Sequence, residues 1–151
     1  MQTQMKLAIG GDLAAYDFKT AIIKELKNRG YIVIDVGCHS SMEGDYPDVA
    51  KAVAELVVTG EADKGILMCG TGQGVCMAAN KCKGVRAALC YDVLPAILAR
   101  EHNNANILAT GAWIVSIEKA LAIIEAFLFG KYAGGRHDVR INKMISFEEE
   151  K

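Results

Sequence analysis

Residues 64–81 read KGILMCGTGQGVCMAANK, and the fold turns on how that stretch is read. Lys64–Met68 is a short apolar run that reads as a strand, and Cys69 ends it. Gly70, Gly72 and Gly74 follow at alternate positions, and a short helical pattern runs over Val75–Lys81. Strand, glycine turn and helix in that order are half of a βαβ unit, which calls for a parallel sheet with helices on both faces.

The same alternation continues in both directions. Upstream, Lys6–Gly11 reads as a buried strand and Tyr16–Arg29 as a helix stopped by Gly30. Tyr31–Val36 is a β-branched strand, and Asp45–Thr59 is a helix with Pro47 in its first turn. Downstream come the strand Val85–Cys90, the helix Val93–His102, the strand Asn106–Ala109 and the apolar-faced helix Ser116–Phe129. The tail turns helical from about Asp138. The chain therefore reads as one α/β domain over residues 1–151. Right-handed crossovers put every strand's C-terminal end on one edge, where open α/β sheets bind ligands. That edge would carry Asp12, Cys38–His39, Cys69–Gly74, Tyr91–Asp92 and Thr110–Trp113.

Composition removes several function classes. The 151 residues are 52% hydrophobic and 23% charged, which is the make-up of a folded domain. A formal net charge of −1 gives no general attraction to nucleic acid or to an anionic membrane. No apolar run is long enough to span a bilayer, and Met1–Lys6 is too polar for a secretory leader, so a cytoplasmic protein is expected. The five cysteines, at 38, 69, 76, 82 and 90, include no C-x-x-C pair, which argues against a disulfide framework or structural zinc. With no His-Glu-x-x-His motif and no Cys/His cluster at ligand spacing, neither a metal nor a cofactor is expected.

Three chemistries compete for the glycine loop. As a dinucleotide fingerprint it lacks the third glycine, since Val75 or Met77 stands there depending on the frame; only Asp92, at the end of the next strand, keeps the idea alive as a ribose-binding acid. As a Walker A loop it lacks the Gly-Lys-Ser/Thr ending. As a nest of backbone N–H groups it suits a phosphate or the oxygen of a forming enolate. A cysteine at its head sits in a positive field that favours thiolate, which makes Cys69 a base or a nucleophile. The bland alternative is a tight turn beside an inert buried cysteine.

Other candidates lie further off in sequence. Asp12 ends the first strand on the same edge, where an ordinary loop aspartate is a cap. His102, in REHNNAN (100–106), could move a proton near neutrality, or it could simply sit against a helix C-terminus. Arg136 and Arg140 are four apart and share a helix face, which suits bidentate contacts to a phosphate or a plain solvated surface.

Taken in order, Gly10-Gly11-Asp12, DYPDVA (45–50), CGTGQG (69–74), ANK (79–81), HNNAN (102–106) and GGRHDVR (134–140) resemble one family across about residues 5–145. It is the family of type B ribose-5-phosphate isomerase and galactose-6-phosphate isomerase (LacAB). The resemblance implies a three-layer Rossmann-like fold, with a five-stranded parallel sheet of order 2-1-3-5-4 and a C-terminal helix. It implies metal-free aldose–ketose isomerisation of a phosphorylated sugar through an enediolate, with ribose 5-phosphate the commonest substrate. It also implies a homodimer or dimer of dimers with active sites shared between subunits. Carried over by position, Cys69 is the base, and Thr71 with the amides of Gly70, Gly72 and Gly74 holds the enediolate oxygen. Asp12 contacts sugar hydroxyls, His102 assists ring opening, Asn103 orients the substrate, and Arg136 and Arg140 hold the phosphate. Val75 stands where some relatives carry a glutamate base, which favours Cys69. Leu13 and Trp113 stand where a histidine and an arginine usually help hold phosphate. Trp113 is thus a candidate to shape or stack on a different sugar, a tetrose or hexose phosphate. Two further readings are a subunit of the galactose-6-phosphate isomerase type and a non-catalytic sugar-phosphate-binding module.

Overall fold

Residues 4–39 and 44–150 are described by the computed structural model. Five strands, β1 (Lys6–Gly11), β2 (Ile32–Gly37), β3 (Lys64–Cys69), β4 (Ala87–Leu89) and β5 (Ile107–Gly111), form one parallel sheet in the order β2-β1-β3-β5-β4. The helices are α1 (Tyr16–Asn28), α2 (Tyr46–Val58), α3 (Gln73–Ala79), α4 (Val93–Asn103), α5 (Ile117–Phe129) and α6 (Arg136–Ser146). The expected sheet order and the C-terminal helix are both present. No helix among the described residues is long and apolar enough to cross a membrane.

Strand periodicity sorts the core into two layers. Leu7, Ile9, Ile66, Met68 and Leu108 point to the side covered by Ile22 and Leu26 of α1 and by Ile123 and Phe127 of α5. Ala8, Leu67, Ile107 and Ala109 point to the other side, under Val49 and Val53 of α2 and Val75 and Ala79 of α3. Cys69 falls in this second layer. Each large aliphatic buried this way contributes about 1.5–3 kcal/mol, so the continuous apolar runs of β1, β3 and β5 are what hold the centre. Gly10 lets α2 lie close, since a Cβ there would stand 2.5 Å from Val49 Cγ1.

Several boundaries differ from the expected ones for local reasons. β4 is shorter than 85–90, because Val85 N–H bonds back to Cys82 and Arg86 N–H goes to Asn106 Oδ1. On the outer edge of β4 the Asn80 amide acts as a one-residue strand. Its Nδ2 donates to Ala87 O at 2.9 Å and its Oδ1 accepts Ala87 N–H at 2.8 Å. That covers backbone groups on an edge otherwise open to pairing. Helix α3 opens at Gln73 rather than Val75, and α6 opens at Arg136 rather than Asp138.

Candidate active site

β3 lies at the centre of the sheet, so the ends of β1 and β5 flank its last residue, Cys69. Cys69 pairs with Gly111, and Met68 with Gly11, which puts Asp12 beside Cys69 at about one strand spacing, ~5 Å. The cysteine is 6% exposed, and its sulfur accepts the Gly72 N–H at 3.0 Å. Gly72 has φ +81, and a Cβ on it would stand 2.7 Å from the Thr110 backbone. Only glycine meets both conditions.

The loop's carbonyls are tied down by its neighbours. Ala112 N–H donates to Cys69 O and Trp113 N–H to Gly70 O, both at 2.9 Å, while the Tyr91 hydroxyl donates to Thr71 O at 2.6 Å. With the carbonyls held on the protein side, and the Gly72 and Gln73 N–H groups taken by the Cys69 sulfur and the Thr71 hydroxyl, the amides of Gly70 and Gly74 are left for an anion. The Thr71 hydroxyl accepts from Gln73 N–H at 3.3 Å, so its own proton is available as a donor. Two aromatic rings wall the loop. The Trp113 indole lies against Gly70 and the Tyr46 ring against Gly74, where an added Cβ would come within 2.6 Å and 2.9 Å of them. Trp113 is 72% exposed and Leu13, on the opposite flank, is 48% exposed.

Asp12 caps the short turn after β1, accepting from Ala15 N–H at 3.2 Å, and partial burial raises its carboxyl above the ordinary aspartate value. Burial likewise raises the Cys76 thiol and pushes that of Cys90 up to about 11, so both stay protonated and unreactive at neutral pH. Asp92 is not free for a ribose. It caps α4 through Val93 N–H and pairs with Lys119 Nζ at 2.8 Å, and the Lys119 hydrogen bond lowers its carboxyl.

A second cluster gathers His102, Asn103, Arg136 and Arg140 around a cavity of about 330 Å³. His137, which sequence reasoning left without a role, completes it. Its ring stacks on His102 with centroids 4.6 Å apart. Desolvation, then His102, Arg136 and Arg140, lower its imidazole, as expected among so many cations. The turn before β5 is built by the other asparagines of HNNAN. Asn104 ends α4 at φ 47, and Asn106 bridges Arg86 N–H and Gly84 O.

The two clusters do not meet within one chain. α4 starts at the C-terminal edge of the sheet and runs back about 16 Å to its N-terminal edge, where His102 stands. β5 then spans about 13 Å before reaching Gly111 beside Cys69. His102 and the glycine loop therefore stand apart in a single copy.

Relatives and solved structures of this fold are isomerases of phosphorylated sugars, and the chain is an enzyme of that class, an aldose–ketose isomerase. It belongs to the Ribose/Galactose Isomerase family, whose model matches residues 7–144. It is 44% identical over 144 residues to the ribose-5-phosphate isomerase B of Escherichia coli, covering 95% of this chain and 97% of that one. It is 40% identical over 147 residues to the D-erythrulose-4-phosphate isomerase of Pectobacterium atrosepticum, covering 97% of each. The solved structure of Clostridium thermocellum ribose-5-phosphate isomerase B superposes with a TM-score of 0.94 at 46% identity, over 97% of this chain and 99% of that one.

Proposed function

We propose that this isomerase interconverts ribose 5-phosphate and ribulose 5-phosphate through an enediolate, without a metal ion, at sites completed by two copies of the chain. The observation that carries the reading is the buried Cys69 sulfur at the end of β3, held 3.0 Å from the Gly72 N–H beneath an amide-lined turn. In the open-chain aldose, Cys69 as thiolate takes the proton from C2. The electron pair forms the C1–C2 double bond and charge develops on O1. A proton passes from O2 to O1, and the thiol returns its proton to C1, giving the ketose. The Thr71 hydroxyl and the amides of Gly70 and Gly74 stabilise the developing oxyanion, while the Gly72 N–H stays on the Cys69 sulfur. Asp12 orients the sugar hydroxyls. His102 and Asn103 of the other copy assist ring opening and orientation, and Arg136 and Arg140 of that copy hold the phosphate. A doubly charged substrate does not cross membranes unaided, which supports a cytoplasmic enzyme working where such sugar phosphates are made.

Cys69→Ala is expected to lower kcat by about 10³-fold or more with thermal midpoint and circular dichroism retained. Activity within tenfold of the parent overturns the assignment. Dialysis against a chelator leaves turnover unchanged on this mechanism, and loss restored by a divalent ion removes its metal-free part.

Leu13 and Trp113 favour a second reading. Both flank Cys69 with large exposed apolar surface, a wall that suits the carbon face of a sugar rather than a charged group. A tetrose phosphate or a hexose 6-phosphate would then be the better substrate. Turnover of aldose and ketose phosphates of four to six carbons ranks the two readings by kcat/KM.

A further inference from the structure

Helix α6 carries Arg136 and Arg140; its first half is held by the His137–His102 stack and by the Tyr132 hydroxyl, which donates to Asp138 Oδ1 at 2.6 Å, but its second half is gripped thinly. Ile141 is its one buried side chain. Its first turn has no side-chain cap. A cavity of about 550 Å³ separates its second half, at Met144 and Ile145, from Val85, Ala87 and Ala88 at the edge of the sheet. Packing alone leaves this second half of the helix room to shift.

The turn after the helix closes that gap. Residues Phe147–Glu150 form a 3-10 turn, and Glu148 Oε1 accepts the Gly84 N–H at 3.0 Å. Gly84 O accepts Asn106 Nδ2 at 2.9 Å, and Asn106 Oδ1 accepts Arg86 N–H at 2.8 Å. Asn106 closes the turn that begins at His102 and Asn103. A continuous line of hydrogen bonds thus runs from the end of the arginine helix to the turn that follows His102 and Asn103 at the end of α4. The neighbouring Lys83–Glu149 pair, at 2.8 Å with both side chains about two-thirds exposed, adds little by comparison.

We infer that Glu148 is a positioning residue: through Gly84 and Asn106 it fixes the arginine pair of α6 against His102 and Asn103, and so sets the grip on the substrate's phosphate. The inference rests on the phosphate role given above to Arg136 and Arg140. A carboxylate suits the task because a charged acceptor holds a backbone N–H more firmly than a neutral one. Glu148 touches no substrate, so its effect falls on binding rather than on proton transfer.

The test compares Glu148→Ala, Glu148→Gln, Glu149→Ala and Arg140→Ala in the full chain. Two readouts serve: steady-state turnover of ribose 5-phosphate and calorimetric binding of inorganic phosphate. Glu148→Ala is expected to raise KM and weaken phosphate binding by roughly three- to tenfold, the size of one lost hydrogen bond, with kcat within about twofold. Glu148→Gln, whose amide oxygen still accepts from Gly84, recovers most of the loss, and Glu149→Ala changes neither. Unchanged KM and phosphate binding in Glu148→Ala overturn the inference. So does a fall in kcat and thermal midpoint with KM steady, which marks a merely structural role. Arg140→Ala separates the two levels. If it weakens phosphate binding while Glu148→Ala does not, the tether alone fails; if it too has no effect, the phosphate reading itself fails.

Discussion

Asp12 shows how the site works against the fold at the level of one side chain. Partial burial beside Cys69 raises its carboxyl, so the folded protein holds the proton more tightly than the unfolded chain does. Such a group contributes stability at low pH and loses it as pH rises through the folded value. At neutral pH the charged carboxylate is therefore a cost. Asp12→Asn keeps the cap, because asparagine serves that position about as well as aspartate. The variant is expected to melt higher than the parent at pH 7, on the order of 1–3 °C, and the gap should close as pH falls below the ordinary aspartate value of 3.8. Activity should fall about tenfold or more in the same variant, the loss of one charged contact to the sugar. Thermal scans and rates across pH 3–8 check both halves, and a lower midpoint at pH 7 would show that the charge stabilises the turn. Single residues were legible in proportion to how local their signal is. Cys69 and Asp12 each end an apolar run, so strand geometry alone put them on one edge. Tyr46 and His137 could not be read that way. Tyr46 reaches the loop only because α2 packs over β3, and His137 gains its role by stacking on a residue 35 positions away.

Among the elements, the turn between β3 and α3 concentrates the constraints. Gly72 is both the left-handed cap of α3 and the donor to the Cys69 sulfur. Gly72→Ala would force an L residue to φ +81 and set a methyl 2.7 Å from the Thr110 backbone. The conformational strain alone costs about 1–3 kcal/mol. At about 2–4 °C per kcal/mol for a chain of this size, the midpoint should drop by several degrees, and turnover should fall further than stability because the donor moves with the loop. A midpoint within a degree of the parent would mean that the turn relaxes freely. The alternating pattern in the sequence located every strand and helix named from it, since burial on both faces leaves continuous apolar runs in β1, β3 and β5. Boundaries were less visible because side chains set them. Asn106 takes the Arg86 N–H and shortens β4, and the left-handed Gly72 moves the start of α3. The asparagines of HNNAN illustrate the same limit. Asn103 is the one that reads as a site residue, and Asn104 and Asn106 shape the turn that follows it.

On the scale of the whole molecule, the separation of the two clusters is the observation that periodicity could not supply. Alternation of strands and helices places Cys69 at one end of the sheet, but the end of α4 is carried to the other. One copy therefore holds Cys69 and its glycine turn at one edge and a histidine–arginine cluster at the opposite edge. Exposed apolar side chains accompany each half: Trp113 and Ile114 near the first, Val139 and Met144 near the second. Two copies related by a two-fold axis would bring unlike halves together twice, giving two equal sites. That arrangement makes a quantitative prediction for mixtures. Cys69→Ala and His102→Ala are each expected to be nearly inactive alone. Unfolded together and refolded at equal amounts, they form half heterodimers, and each heterodimer has one site with both native residues and one with neither. Recovered activity should approach about a quarter of the parent's, assuming random pairing of equally stable chains. The measurement is turnover of the co-refolded mixture against each variant refolded separately, with light scattering to confirm the dimer. No recovery in a mixture that does form dimers would place Cys69 and His102 in independent sites, and the shared-site mechanism would then fail even if each residue proved essential alone.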